Sequence, residues 1–181
     1  NLSLLINNGS GSIAFKAAQL ITVSATADPN WVAVGDFNKD GKPDIAAIQR
    51  ITGANVVPFK HNGVGNAPWL TAGNTAMSGS GTTYAAVAED FDKDGNIDIV
   101  TVNNLATGTI SFLKGNGQGG FTNAAAANIF TVGAAPEHIA AADLNGDGFM
   151  DVMTANYGGT GASGTVSWLL GNGNGTFKGM Q

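Results

Sequence analysis

Aspartate residues are concentrated in three short windows of this chain, and they carry its clearest chemical signal. Ten of the 13 acidic residues lie in these windows, and only Asp28, Glu89 and Glu137 lie outside them. Carboxylates held close together repel one another, so such a group needs a cation to be stable. The formal charge of −5 therefore indicates clustered metal ligands rather than a general acidic surface.

Each window contains the same nine-residue pattern, which begins at Asp36, Asp90 and Asp143 and reads DFNKDGKPD, DFDKDGNID and DLNGDGFMD. Positions 1, 3, 5 and 9 offer side-chain oxygens, position 7 offers a backbone carbonyl, and the glycine at position 6 permits a sharp turn. The predicted ligands are Asp36, Asn38, Asp40, Lys42 and Asp44 in loop 1, Asp90, Asp92, Asp94, Asn96 and Asp98 in loop 2, and Asp143, Asn145, Asp147, Phe149 and Asp151 in loop 3.

The donor set favours Ca²⁺, which takes six to eight oxygen ligands in a flexible geometry. A bidentate aspartate at position 9, with water in the remaining positions, would complete the sphere. Mg²⁺ fits less well because it resists dehydration and requires an octahedron. Zn²⁺ prefers His or Cys, and neither occurs in the loops. We therefore expect three Ca²⁺ sites, which would change the formal charge from −5 to +1 (−5 + 6).

The EF-hand begins with a similar pattern, so it is the alternative to test. That motif requires a glutamate at position 12 of the loop. Position 12 is Ala47, Thr101 or Thr154 in the three copies, and the flanking residues alternate as strands do. The sequence therefore argues against an EF-hand.

The loops recur at intervals of 54 and 53 residues, which defines a structural repeat. Each repeat predicts four short strands: A before the loop, B after it, C, and D after an Asn/Gly-rich turn. Four antiparallel strands of this length make one propeller blade. We expect an all-β, single-domain propeller segment over 1–181, with about three and a quarter blades in repeats near 1–30 (partial), 31–83, 84–136 and 137–181 (partial).

Propellers typically close with about four to eight blades. The predicted strand order starts with C and D and stops after A, B and C. We therefore expect further blades, in the same chain or in an oligomer, to pair near residues 2–6 and 166–170.

The chain resembles the FG-GAP/VCBS-type repeats of bacterial surface and secreted proteins, whose calcium loop also occurs in integrin α-subunit propellers. The matching segments are VAVGDFNKDGKPDI (32–45), AADLNGDGFMDVMTANYG (141–158) and VSWLLGNGNGTF (166–177). The resemblance covers essentially the whole chain and implies a β-propeller with one calcium ion per blade, used in adhesion, in carbohydrate or protein recognition, or as an accessory module. The second repeat departs from the pattern at Pro58, which predicts an irregular or edge strand there.

Other residues give little support for catalysis or nucleic-acid binding. There is no cysteine, and the two histidines, His61 and His138, occupy non-equivalent repeat positions. We therefore expect no enzyme activity. Eight Lys and Arg residues form no cluster, which argues against a nucleic-acid partner, and no segment is long enough to span a membrane.

The tryptophans separate into two groups. Trp69 and Trp168 align with apolar residues of other repeats and are predicted to lie in the core. Trp31 aligns with Ala85 and His138, so this large aromatic at a variable position is the candidate ligand-contact residue.

These observations favour a noncatalytic calcium-binding module for extracellular binding or adhesion, with calcium mainly structural and a protein or carbohydrate ligand. The alternatives are a structural subunit of a surface assembly or filament, and an accessory module of a larger secreted enzyme. The resemblance implies an extracellular or cell-surface location. The chain begins with Asn1, and we expect that it was processed or trimmed.

Overall fold

The structure is a computed structural model that describes residues 1–5, 19–23, 28–51, 55–61, 70–71, 76–77, 81–161 and 163–181. It confirms the all-β class: the described part contains fourteen strands and one 3-10 turn, Ala126–Asn128, with no helix long and apolar enough to cross a membrane. The strands are β1 (Leu2–Leu4), β2 (Gln19–Ile21), β3 (Pro29–Gly35), β4 (Asp44–Gln49), β5 (Asn55–Lys60), β6 (Leu70–Thr71), β7 (Ala76–Met77), β8 (Thr82–Glu89), β9 (Asp98–Asn104), β10 (Thr109–Leu113), β11 (Ile129–Thr131), β12 (Pro136–Ala142), β13 (Asp151–Asn156) and β14 (Thr165–Leu169).

The strands form four antiparallel sheets, which we call blades 1 to 4. Blade 1 is β1–β2, blade 2 is β3–β4–β5 with β6 and β7 both paired to β5, blade 3 is β8–β9–β10–β11, and blade 4 is β12–β13–β14. Consecutive strands pair with one another, as in propeller blades. Among the described residues no closed ring is detected.

Strand A carries the same irregularity in each of blades 2 to 4. The pairing between strands A and B shifts by one residue at Asn30, Tyr84 and Glu137. A bulge of this kind re-aims the side chains that follow it. These residues are 54 and 53 positions apart, so the bulge belongs to the repeat.

Pro58 lies inside blade 2 rather than at its edge. It pairs with Ala46 of β4 in an unbroken register. On the other side of β5, the partners are two separate short strands, β6 at one end and β7 at the other. The predicted irregularity is therefore found on the fourth-strand side, while the pairing with β4 is regular.

The hydrophobic core lies between the blades. Blades 1 and 2 enclose one cluster, blades 2 and 3 a second, and blades 3 and 4 a third, the largest of the three. Strand B of blades 2 and 3 is buried on both faces because a neighbouring blade covers each face, as the fully buried run Ile99–Val102 of β9 shows. Stacked sheets of this kind are the architecture of propeller blades.

Loops 1 and 2 are each covered by the Gly-rich turn that follows strand C of the next blade. The Gly119 amide donates to the Phe37 carbonyl at 2.8 Å, and the Gly175 amide donates to the Phe91 carbonyl at 3.4 Å. The aromatic residues of the two motifs also pack edge to face, with centroid distances of 5.1 Å for Phe37–Phe121 and 5.9 Å for Phe91–Phe177. The two recurring motifs of the sequence therefore join neighbouring blades.

The outer face of blade 4 corrects one expectation. Trp168 was predicted to lie in the core, but 43% of it is exposed, and Val166 on the same face is 62% exposed. The equivalent residues of blade 3, Phe112 and Ile110, are buried because blade 4 packs on them. Trp168 faces away from blade 3, so the same sequence position has no such cover. Trp69 lies outside the described residues.

Candidate metal centre

The aspartate at position 9 fixes the frame of every loop. Asp44, Asp98 and Asp151 are fully buried. In each of these aspartates, one carboxylate oxygen accepts a hydrogen bond from the backbone amide of position 2. The other oxygen accepts a hydrogen bond from the backbone amide of the first or second residue after strand C. The respective N–O distances are 3.1 and 2.7 Å for Asp44, 3.1 and 2.8 Å for Asp98, and 2.9 and 2.7 Å for Asp151. This residue therefore ties the loop to strand C before any ion is considered.

The first and sixth positions close the turn. The glycine amide at position 6 donates to the carboxylate of position 1, at 2.8 Å in loop 1, 3.0 Å in loop 2 and 2.8 Å in loop 3. Each of these glycines has a φ near +80°, a conformation that side chains with a Cβ rarely adopt. The sequence pattern therefore requires glycine at position 6 for a geometric reason.

Positions 3 and 5 are joined to each other in loops 1 and 3. The Asn38 side-chain amide donates to Asp40 at 3.4 Å, and the Asn145 amide donates to Asp147 at 2.9 Å. The position-5 carboxylate also accepts the amide of position 7, at 2.9 Å in loop 1, 2.8 Å in loop 2 and 2.9 Å in loop 3. The chain therefore brings the predicted side-chain ligands of each loop around one turn.

Loop 2 brings its acidic side chains closest together. Oxygens of Asp90, Asp92 and Asp98 lie within 4.8 Å of one another, an arrangement that could hold a metal ion. The Oδ1 atom of Asp90 is buried and has no hydrogen-bond partner. A buried oxygen without a donor is costly, and a bound cation would satisfy it. The residues of loop 2 therefore fit a hard divalent cation.

The electrostatics of the position-9 aspartates in loops 1 and 2 favour a nearby cation. The pKa of Asp98 is raised to about 7, chiefly by burial and also by the neighbouring carboxylates, although the hydrogen bond from the Gly115 amide acts in the opposite direction. Burial likewise raises the pKa of Asp44. A cation in contact with such a carboxyl would favour its ionised form. The pKa of Asp94 instead falls to about 2, because Lys114 hydrogen-bonds to it.

Lys114 is the residue of this site that the sequence pattern did not reveal. Its ammonium group forms ion pairs with Asp92 and, at 2.7 Å, with Asp94. It lies outside the nine-residue pattern, 22 residues after Asp92, just after β10. A signal did exist in the sequence: loop 2 alone has Asp rather than Asn at position 3, and its repeat alone combines that change with Lys114.

Trp31 lies between three blades and is only partly exposed. Its indole N–H donates to the Ala86 carbonyl of blade 3 at 2.8 Å, and its ring meets His138 of blade 4 edge to face at 5.7 Å. It also lines a groove between strands A of blades 2 and 3. Packing between the blades therefore explains why a large aromatic residue occupies this position. Contact of Trp31 with a ligand stays a prediction.

Comparison with known proteins gives a family assignment. The family model described as FG-GAP-like repeat matches residues 1–47 and 90–154, which is more than half of the chain. A search among curated proteins found no significant match. Repeats of this family are typically noncatalytic modules, usually extracellular and usually part of larger propellers. The loops, the blade topology and this match together establish that the chain belongs to the FG-GAP-like repeat family.

Proposed function

We propose that the chain is a noncatalytic, calcium-binding propeller module for extracellular binding or adhesion, in which calcium is mainly structural. The observation that carries the proposal is the buried, unpartnered Oδ1 atom of Asp90 within a cluster of three carboxylates. Loops 1 and 3 have the same sequence pattern and the same hydrogen bonds at positions 6, 7 and 9, which supports one ion in each of the three loops. The unpartnered oxygen is specific to loop 2, because the Oδ1 atoms of Asp36 and Asp143 accept hydrogen bonds from backbone amides.

The proposed ligands in each loop are the side chains at positions 1, 3, 5 and 9 and the carbonyl at position 7. Calcium would supply positive charge where the chain gathers carboxylates, and it would rigidify the turn between strands A and B. Because loops 1 and 2 also contact the turn of the next blade, ion binding there would stabilise the packing between blades as well. This is the physical basis for a structural role.

The test is calcium binding and unfolding of the whole chain. Equilibrium dialysis is expected to give three ions per chain. Each site filled at 100 times its dissociation constant adds about 2.7 kcal/mol to the free energy of unfolding. Thermal melts in calcium and in chelator measure this gain, and Asp90→Asn is expected to remove one ion. Asp28→Asn, outside the loops, is the matched control. Equal midpoints in calcium and chelator would refute the proposal.

The exposed outer face of blade 4 supports a second candidate, a subunit of a surface assembly. Val166 and Trp168 stand exposed where the equivalent residues of blade 3 are covered. A further blade, from the same polypeptide or from another copy, would cover them. For the binding role, the partner class is a protein or a carbohydrate, with Trp31 as the candidate contact residue. Binding assays with the Trp31→Phe variant would test whether Trp31 contacts the ligand.

A further inference from the structure

Lys114, the residue directly after strand C of blade 3, contacts loop 2 of its own blade. Its Nζ atom contacts Asp92 and Asp94, and the Asp92 side chain is only 9% exposed in this arrangement. The lysine side chain itself is 44% exposed, so it approaches the carboxylates from the surface. A tethered ammonium group therefore occupies the side of the loop where two predicted calcium ligands lie.

The other two loops differ in how lysines meet them. Loop 1 has a longer ion pair from within the loop, Lys42 to Asp40 at 3.6 Å, and the residue of blade 2 equivalent to Lys114, Lys60, is directed elsewhere. Lys60 of blade 2 lies alongside Gly119 of blade 3, where an added Cβ would meet the Lys60 Cδ atom at 3.0 Å. Blade 4 has Leu170 at this position. In loops 1 and 3 an asparagine amide joins positions 3 and 5, whereas Lys114 makes that link in loop 2. The lysine therefore replaces the asparagine's structural contact.

Counting charges shows the same compensation. Loops 1 and 3 contain three carboxylates each, and loop 2 contains four. Lys114 contacts the additional carboxylate, that of Asp92, and its positive charge offsets that one extra negative charge. The extra aspartate and the lysine thus belong together, and they give loop 2 a bound positive charge before any ion arrives.

We propose that Lys114 is a built-in counter-ion of loop 2 that competes with the divalent cation for Asp92 and Asp94. The inference rests on the proposed calcium function. Without calcium, Lys114 keeps the four carboxylates of loop 2 together. When calcium binds, the ammonium group must leave these oxygens, so part of the binding free energy is used to displace it. Loop 2 consequently binds calcium more weakly than it would without Lys114, and its shape depends less on calcium.

The experiment follows each loop separately by NMR in the full chain. The amides of Gly41, Gly95 and Gly148, at position 6 of the three loops, report calcium titration of their own loops. Lys114→Met is expected to tighten calcium binding at Gly95 about tenfold, since a competing unit charge is removed, and to leave the other two midpoints unchanged. In chelator, the hydrogen-exchange protection of the Gly95 amide is expected to fall.

Two further variants separate charge from packing. Lys114→Arg keeps the charge and is expected to keep weak binding. The double variant Asp92→Asn with Lys114→Leu gives loop 2 the residues that blade 4 has at these positions, and is expected to restore Gly95 protection in chelator. Suppose that in Lys114→Met the Gly95 amide titrates at an unchanged or higher calcium concentration, while Gly41 and Gly148 titrate normally. This result would overturn the proposed role of Lys114 but not the proposed calcium function. If none of the three amides of the unmodified chain responded to calcium, the proposed function would fail, and this inference with it.

Discussion

Loops 2 and 3 share the hydrogen bonds made at positions 6, 7 and 9 but have very different surroundings. In both, the position-9 aspartate is fully buried and accepts two backbone amides. At position 2, however, Phe91 is 2% exposed whereas Leu144 is 43% exposed. The difference arises because the turn of blade 4 covers loop 2, through Phe177 and Gly175. Each loop therefore determines its own backbone frame, and the following blade determines its burial.

The comparison also explains why the repeat carries two motifs. The nine-residue loop of one blade contacts the Gly-rich turn of the next blade. A repeat therefore uses its loop for the contact with the following blade and its turn for the contact with the preceding blade. Loops 1 and 2 both have this partner. A calcium ion in a covered loop would thus act on a contact between blades as well as on a turn within one blade.

The largest expected effect comes from removing the aromatic at position 2. Phe91→Ala removes a buried ring from the core between blades 3 and 4, and we expect it to lower the free energy of unfolding by about 3–5 kcal/mol. Leu144→Ala, the matched change in the exposed loop, should cost only about 0.5 kcal/mol. Urea unfolding in saturating calcium measures both. Similar losses in the two variants would show that coverage by the next blade does not distinguish the loops.

The sequence was sufficient to predict the structural features that recur in every repeat. The strand order, the loop positions and the glycine at position 6 follow from self-similarity and turn chemistry. The bulge in strand A was not predictable, because residues 30, 84 and 137 share no residue type. The Lys114 contact and the exposure of Trp168 depend on residues distant in the chain or on a neighbouring blade, and the local pattern contains neither.

A smaller loss of stability, equal in loops 2 and 3, is expected from changing the glycine that donates to the position-9 aspartate of each loop. Gly115 and Gly171 follow strand C and donate to the position-9 aspartates. A Cβ at either residue would lie 2.1 or 2.2 Å from a backbone carbonyl oxygen of the same blade. Because that backbone cannot move freely, Gly115→Ala and Gly171→Ala should each cost about 2 kcal/mol.

Denaturant unfolding in calcium would check the equality of these two losses. Gly179→Ala is the control, since a Cβ there meets no atom within 4 Å. A large loss for Gly115→Ala alone would mean that the frame itself depends on cover from the next blade. Each loop would then not determine its own backbone frame.

The smallest effect on stability is expected at the uncovered face of blade 4. Trp168 is 43% exposed, so Trp168→Ser should change the free energy of unfolding by less than about 0.5 kcal/mol. The same variant should clearly reduce self-association, because exposed apolar faces of this kind mediate contacts between chains. Sedimentation velocity over a range of concentrations, in calcium, measures the association. Tyr157→Ser, at another exposed aromatic in blade 4, is the control. If the unmodified chain were a calcium-loaded monomer at every concentration, the outer face of blade 4 would need no cover, and the contrast between covered and uncovered blades would have no consequence for assembly.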